Sequence, residues 1–347
     1  MRFLITATLA VASVLSLLGC QSKPKANYGG DGTIVVAVDP PDRAMVGKIL
    51  ASRFGRIINT PQPEPEYNLV ITDGDGLTEY VRSPYVFLFA PLDGAGSTSK
   101  LLGKMLSSDV KAGVVSGEYF IFARKDPWAR GQQLYIVTGP NSLDMGLQLA
   151  HNVDSLKVWV DRLESEARFS RLFERGEHKE LAQEATAKHG WRIRLQNDYS
   201  LEQDNDSLSF VRWMRYIPER WVMVHWGEMS DSSQLTAQFV LQKRQVIGRY
   251  FPDPVITEVE DLTSEPVLFN ERRVLLVRGL WRTDSNLFGG GPFFSYALWV
   301  EKENRYYIID CAVYAPGKDK MPYLKQLDVL AHTFIPPSEV KGQNHSN

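Results

Sequence analysis

Residues 221–226 read Trp-Val-Met-Val-His-Trp, and residues 306–314 read Tyr-Tyr-Ile-Ile-Asp-Cys-Ala-Val-Tyr. Short runs rich in β-branched and aromatic side chains are typical of β-strands. After Trp191 such runs recur, and only two helical patterns interrupt them. The predicted strands are 208–216, 221–226, 256–261, 274–283, 293–300 and 306–314, and the predicted helices are 235–248 and one that carries Leu324, Leu327, Leu330 and Phe334. This order predicts a C-terminal antiparallel α+β domain over residues 191–337.

The preceding part of the chain alternates strands with helices instead. Residues 34–38 form a continuous β-branched run, and the prolines at 40 and 41 open a segment with apolar residues on one helical face. Further strands are predicted at 69–72, 86–90, 119–123 and 134–138, and a short helix at 98–106. The alternation predicts an N-terminal mixed α/β domain over residues 33–150.

Residues 151–190 are charged, with apolar side chains at helical spacing. This pattern predicts a connector of one or two amphipathic helices. The fold class of the whole chain is therefore α+β: a mixed α/β domain, long connecting helices and an antiparallel sheet packed by helices. Residues 338–347 are predicted to be a disordered tail.

The amino terminus has the pattern of a signal peptide. Arg2 precedes an apolar run that ends at Leu17-Leu18-Gly19-Cys20, and polar residues follow at once. The run is shorter than the roughly 20 apolar residues that a spanning helix needs, so residues 1–19 are predicted to be cleaved. Leu-Leu-Gly-Cys resembles the lipobox of bacterial lipoproteins, which implies a lipid, with an acyl chain such as palmitate, on Cys20. A secretory signal with an incidental cysteine is the alternative, and residues 20–32 are predicted to be a flexible tether.

Composition limits the partners. The chain is 44% hydrophobic and 23% charged, as in globular proteins. Its formal net charge is −2 and it has no long block of one sign, which gives no indication of nucleic acid as the partner. Cys311 has no intramolecular mate if Cys20 carries lipid, so a structural disulfide is not expected.

Ser97 and Lys100 have the Ser-x-x-Lys spacing that places a serine and a lysine base one helical turn apart, as in penicillin-binding proteins. Neither a Ser-Asp-Asn nor a Lys-Thr-Gly sequence accompanies them. Serine and threonine before a short helix also serve as N-caps. A periplasmic hydrolase using Ser97 and Lys100, or His225 with a carboxylate, stays open as the alternative function.

No metal or other cofactor is expected. Asp73, Asp75 and Glu79 surround two glycines and resemble part of a calcium loop, but an Asp-Gly turn explains the same residues. The six histidines show no zinc-ligand spacing. His225 is expected to be a hydrogen-bonded core histidine, and Cys311 a small buried side chain rather than a nucleophile.

A binding surface is predicted on the C-terminal sheet. Six of the eight tryptophans follow residue 190, and such aromatics either line a groove or pack a core. The glycines at 289–291 lie between two strands, where a loop or β-bulge is expected rather than a phosphate-binding loop. The candidate binding residues are Trp221, His225, Trp281, Gly290, Gly291 and Phe293.

Several strings carry a family resemblance: Gln62-Pro63-Glu64-Pro65, Asp126-Pro127-Trp128, Ile217-Pro218-Glu219-Arg220-Trp221, Arg278-Gly279-Leu280-Trp281, Gly290-Gly291-Pro292-Phe293 and Val313-Tyr314-Ala315-Pro316-Gly317-Lys318. Together with the lipobox, they resemble a family of uncharacterised bacterial envelope lipoproteins, a domain of unknown function. The resemblance does not indicate which activity, cofactor or catalytic residue the chain would have.

The functional expectation is a non-enzymatic binding or assembly module of the cell envelope. The lipid would hold it on the periplasmic side of the outer membrane, where an envelope protein or a glycan would be its partner. A passive structural lipoprotein is a third possibility that the residues leave open.

Overall fold

The computed structural model describes residues 23–27, 32–284 and 289–343, with side chains to residue 340. The chain divides into two units. The first comprises Met1–Arg56 and Pro65–Arg162, and the second comprises Ile57–Glu64 and Leu163–Asn347. The predicted cleavage site and Cys20 lie outside the described residues.

The first unit is built on a five-stranded mixed sheet. Its strands are β1 (Thr33–Val38), β4 (Asn68–Thr72), β5 (Tyr85–Phe89), β6 (Ile121–Lys125) and β7 (Gln133–Val137). They are ordered β4-β1-β5-β7-β6, and β6 alone runs antiparallel to its neighbour. Strand β5 is buried throughout, and so is β1 beyond its first residue, as expected for parallel strands covered on both faces. The predicted mixed α/β character is confirmed.

Helices connect these strands. They are α1 (Arg43–Phe54), α2 (Ser97–Met105), α3 (Ser108–Val115) and the 33-residue α4 (Ser142–Glu174). The short helix predicted at 98–106 corresponds to α2, whereas α3 was not predicted. The side chain of Ser107 accepts a hydrogen bond from the backbone N–H of Val110 and caps α3. The long helix α4 continues from the residues of the first unit into those of the second.

Part of the predicted tether is ordered on the first unit. Lys25 forms a β-bridge with Arg130, Ala26 is buried, and the backbone N–H of Ala26 donates to the carbonyl of Arg130. The Asn27 N–H donates to the carbonyl of Arg82. Residues 23–27 therefore differ from the flexible chain that their composition predicts, because their backbone groups find partners in distant loops.

The second unit contains an eight-stranded antiparallel sheet. Its strands are β8 (Ser200–Asn205), β9 (Phe210–Tyr216), β10 (Glu219–Glu228), β11 (Val255–Thr257), β12 (Thr263–Phe269), β13 (Arg272–Thr283), β14 (Gly290–Val300) and β15 (Arg305–Tyr314). Their order is β11-β13-β14-β15-β10-β9-β8, and β12 also pairs with β13. The α+β fold class is confirmed. Strands β8 and β12 were not predicted.

Two layers of helix cover the two faces of this sheet. The helices are α5 (Lys179–His189), α6 (Ala237–Gly248), α7 (Met321–Ala331) and α8 (Pro337–Gln343). Val240 and Ile247 of α6 pack in one core, and Leu324 and Leu327 of α7 pack in the core on the other face. Helix α8 occupies the start of the tail that was predicted to be disordered, which corrects that prediction for residues 338–343.

A two-stranded sheet lies in the part of the chain between α1 and β4. Strands β2 (Ile57–Ile58) and β3 (Glu64–Pro65) pair with each other. The Glu64 carboxylate accepts hydrogen bonds from the backbone N–H groups of Lys320 and Met321, at 2.8–2.9 Å. The carboxylate therefore satisfies backbone N–H groups at the start of α7, where a helix has N–H groups without intrahelical acceptors.

The glycines at 290 and 291 belong to strand β14 rather than to a loop. Gly291 lies opposite Trp281, and a Cβ added to it would lie 2.0 Å from the carbonyl oxygen of Val313. The close approach of two backbones therefore requires glycine at 291.

Within the described residues, no helix combines the length and the apolar composition needed to cross a membrane.

Candidate functional site

A cavity of about 500 Å³ lies at the β8 edge of the second unit. We call it the edge pocket; it is lined by Leu181, Glu184, Ala185, Ala187, Lys188, Leu201, Asp204, Val211 and Trp213. The lining residues come from α5, β8 and β9. Most of the lining side chains are apolar, and the charged ones come from α5 and β8. A cavity of this volume is in the range of small-ligand and side-chain pockets.

Charged groups stand close together at the mouth of the edge pocket. The Lys188 ammonium lies 3.0 Å from a carboxylate oxygen of both Asp204 and Asp206. These hydrogen bonds raise the pKa of Lys188. His189 Nε2 lies 3.3 Å from the Asp204 carboxylate. Glu184, another residue of the pocket lining, adds a third carboxylate.

His189, Asp204 and Asp206 offer three possible metal ligands within 4.8 Å of one another. They are the only such group among the described residues. The Lys188 ammonium contacts both carboxylates and supplies the positive charge that an ion would otherwise provide. We therefore interpret this group as an ion-pair network. Asp73, Asp75 and Glu79 form no such group; Asp73 accepts the N–H of Gly76 in a turn.

Aromatic side chains fix the position of His189. Its ring stacks on Trp191 with centroids 5.5 Å apart and lies 4.6 Å from the ring of Trp226. Helix α5 ends immediately after it, because Gly190 adopts a left-handed conformation with φ of 84°. The end of the helix therefore places Lys188 and His189 beside β8.

The residues predicted to bind a ligand lie in the core instead. Trp221, His225, Trp281 and Phe293 are buried, as is Gly291, and Gly290 is half-buried. The rings of Trp221 and Trp281 are 4.8 Å apart. Packing, the alternative that the sequence left open, accounts for the buried members of this set.

A buried ion pair lies between α6 and this face of the sheet. The Arg244 guanidinium donates to Asp310, donates to Thr257 Oγ1 at 3.2 Å, and lies 3.5 Å from the ring centroid of Phe293. Asp310 also accepts hydrogen bonds from Ser295 Oγ at 2.6 Å and from Trp221 Nε1 at 3.2 Å. Burial lowers the pKa of Arg244 to about 9, which leaves the guanidinium charged at pH 7. The network explains why Trp221 is held inside the core.

His225 has the surroundings of a core histidine. Its Nδ1 lies 2.9 Å from the carbonyl of Ser209, and its Nε2 lies 2.8 Å from the hydroxyl of Tyr306. Burial lowers the pKa of His225 to about 4, so the ring is neutral at pH 7. Neither partner is a carboxylate. Cys311 is also buried, and burial raises its thiol pKa well above the usual value, as in an inert structural cysteine.

Ser97 and Lys100 are not joined by any hydrogen bond in the described part of the chain. Ser97 Oγ accepts the backbone N–H of Asp75 at 3.2 Å, and Lys100 is exposed. The start of α2 is occupied by Asp39, which accepts hydrogen bonds from the N–H groups of Thr98 and Ser99 at 2.8 and 3.0 Å. Burial opposes ionisation of Asp39, but the hydrogen bonds from Ser99 and Thr98 lower its pKa. Asp39, rather than Ser97 or Thr98, therefore satisfies the N–H groups at the start of the helix, so the predicted N-cap role of the serine and threonine is wrong.

The edge pocket was missed by sequence reasoning. Its β8 wall, Ser-Leu-Glu-Gln-Asp-Asn, is too polar to be recognised as a strand, and its α5 wall was assigned to a connector. One feature of the sequence could have indicated this wall: Leu201 is a single apolar residue in a polar segment that precedes the predicted strand β9. Only the antiparallel pairing of β8 with β9 brings Leu201 and Trp213 together.

Residues 178–333, which contain the edge pocket, match the family described as "Domain of unknown function (DUF4837)". The match confirms the predicted resemblance to a domain of unknown function over this part of the chain. No curated protein matches the chain. A solved structure of a mutant of protein Mog1 aligns with a TM-score of 0.30 and 8% identity, over 43% of this chain and 91% of that chain.

Proposed function

We propose that the chain is a lipid-anchored, non-enzymatic binding module of the cell envelope that captures a partner protein in the edge pocket. The lipid on Cys20 would hold it on the periplasmic side of the outer membrane. The observation that carries the proposal is the open pocket with apolar walls and charged groups at its mouth.

The charges at the mouth define the partner's chemistry. Asp204 and Asp206 contact Lys188, Glu184 adds a carboxylate to the lining, and the other lining side chains are apolar. A partner that inserts one apolar side chain flanked by a basic residue would match both features. Interfaces commonly use such an anchor, and complementary charges accelerate encounter.

The sharpest test is site-specific photocrosslinking in intact cells. Leu201 is 44% exposed and lines the pocket, whereas Leu268, 71% exposed, lies on β12 and does not. Benzoylphenylalanine at 201 should give a discrete protein adduct, and the same probe at 268 should not. Equal adducts at both positions would contradict the proposal.

A charge reversal provides the matched control for this adduct. Glu184 and Glu180 are both exposed on α5, one turn apart, and only Glu184 lines the pocket. Glu184→Lys should reduce the adduct several-fold, and Glu180→Lys should leave it unchanged. An adduct insensitive to Glu184→Lys would show that the captured protein does not use the pocket.

The anchor is tested separately. The parent protein should incorporate labelled palmitate and fractionate with outer membranes, because two or more acyl chains bind a bilayer stably. Cys20→Ser should lose the label and become soluble. Membrane retention of the unlabelled variant would reject the anchor without affecting the pocket.

A further inference from the structure

The opposite face of strand β9 carries a buried guanidinium that has no hydrogen-bond acceptor within the described part of the chain. Arg212 alternates with the pocket-lining Val211 and Trp213, so its side chain lies on the other face of the sheet. Its side chain is 3% exposed, and its Cζ lies 3.9 Å from the ring centroid of Phe251. Its nearest carboxylate atom, Glu202 Oε1, is 3.9 Å from Nη2, beyond hydrogen-bond distance. Its Nε is buried without a partner.

Of the five N–H donors of the guanidinium, Nε–H is buried without an acceptor, and this is unusual because buried donors are nearly always satisfied. Arg212 donates no hydrogen bond to any of the residues that the structure describes. An acceptor from outside the chain would remove the deficit.

An unsatisfied acceptor and several carboxylates lie near this donor. Gln203 pairs directly with Arg212 on the neighbouring strand, and its Oε1 is buried without a partner while its Nε2 donates to the carbonyl of Tyr250. Burial raises the pKa of Glu219, and Arg212 opposes this effect. Glu202, Glu219 and Asp253 all act electrostatically on Arg212. We call Glu202, Gln203, Arg212, Glu219 and Asp253 the arginine cluster.

Two exposed tyrosines are hydrogen-bonded to the arginine cluster, Tyr216 through its hydroxyl group and Tyr250 through its backbone carbonyl. Tyr216 is 58% exposed, and its hydroxyl donates to Glu202 at 2.6 Å. Tyr250 is 56% exposed, and its carbonyl accepts from Gln203. Exposed tyrosines present an apolar face together with a polar edge.

The charges restrict the ligand. A phosphate or other anion would approach three carboxylates, and a simple cation would approach the guanidinium and leave its donors unsatisfied. A hydroxyl group both donates and accepts, and it carries no charge. A ligand with several hydroxyl groups on a ring therefore satisfies Arg212, Gln203 and the carboxylates at once.

We propose that the arginine cluster is a saccharide-binding site, in which sugar hydroxyl groups accept from Arg212 and donate to Gln203 and Glu219, and a sugar ring packs on Tyr216 or Tyr250. The site is independent of the edge pocket and of the lipid. Glycan strands of the envelope and other polysaccharides share this chemistry, and they are distinguished by the probe.

The test is calorimetric titration of the mature full-length chain with three tetrasaccharides: N-acetylchitotetraose, cellotetraose and maltotetraose. Binding of at least one is expected. Binding of the acetylated oligomer alone would indicate N-acetylated envelope glycan as the source, and binding of a glucan alone would indicate a different polysaccharide. Failure of all three at millimolar concentration would overturn the proposal, as would preferential binding of tetralysine or inorganic phosphate.

Two variants locate the site. Arg212→Lys removes the fork of donors but keeps the charge, and should weaken binding at least about tenfold, the effect of losing charge-assisted hydrogen bonds. Because Arg212 is buried, Tyr250→Ala, at an exposed ring, gives a second reading that does not depend on core packing. Leu268→Ala is the exposed control on a distant strand and should have no effect.

Unchanged affinity in both Arg212→Lys and Tyr250→Ala would overturn the site. Glu184→Lys should leave saccharide affinity unchanged, because it lies at the edge pocket on the other face. The saccharide site and the protein-binding proposal can therefore fail independently.

Discussion

Arg244 and Arg212 are both buried on the same face of the same sheet, and each lies over a phenyl ring. Arg244 has Asp310 and Thr257 as hydrogen-bond partners, whereas Arg212 has none among the described residues. A buried charge is tolerated when it is paired and hydrogen-bonded. The comparison supports a structural role for Arg244 and the proposed ligand-binding role for Arg212.

The largest predicted change in stability comes from breaking the ion pair between Arg244 and Asp310. Asp310→Ala leaves the Arg244 charge uncompensated and removes the acceptor of Ser295 and Trp221, so we expect the free energy of unfolding to fall by about 3–5 kcal/mol. Urea denaturation monitored by circular dichroism measures this change. The double variant Asp310→Leu with Arg244→Met should recover part of the loss. A loss below about 1 kcal/mol would mean that Arg244 is no better satisfied than Arg212.

The next effect is the pH dependence due to His225, a third buried group on this face. Its pKa is about 4 in the folded chain and 6.5 ordinarily, so below pH 6.5 the unfolded chain binds a proton that the folded chain does not. Stability should therefore fall as the pH drops from 6.5 to 4, by about 3 kcal/mol in total. His225→Gln keeps hydrogen-bonding capacity without the titration. If that variant has the same pH slope as the parent, His225 is not the titrating group.

The smallest effect is predicted for the unsatisfied arginine. Arg212→Met breaks no hydrogen bond and keeps an apolar side chain over Phe251, so the free energy of unfolding should change by less than about 1 kcal/mol. The same urea experiment measures it. Destabilisation as large as that of Asp310→Ala would show that Arg212 is as structural as Arg244, and the comparison would fail.

The strands of the sheet centre were predictable because their side chains are buried. Strands β9, β10, β14 and β15 are rich in β-branched and aromatic residues, the pattern that burial selects. The edge strands β8 and β12 were missed. Strand β8 is polar except for Leu201, and β12 contains Pro266, which is tolerated only where a strand has an unpaired side.

The candidate sites were less predictable. In Phe210-Val-Arg-Trp-Met214, Arg212 shares a face with Phe210 and Met214, which is a sequence signal for a buried arginine. Nothing in that signal tells whether the arginine has partners. Conversely, Trp221 and Trp281 were candidates for a groove because aromatic side chains suit grooves and cores alike, and both lie in the core.

The sequence alone determined the α+β class, the helical segment between the two sheets and the family resemblance of the second half, because these depend on local periodicity and on strings of neighbouring residues. The tertiary structure decided which polar groups are satisfied. Arg244 and Asp310 are 66 residues apart, and Trp221 and Asp310 are 89 apart. The hydrogen-bond partner of a buried charge comes from a distant strand, so only the packed sheet distinguishes Arg244, which has such partners, from Arg212, which has none among the described residues.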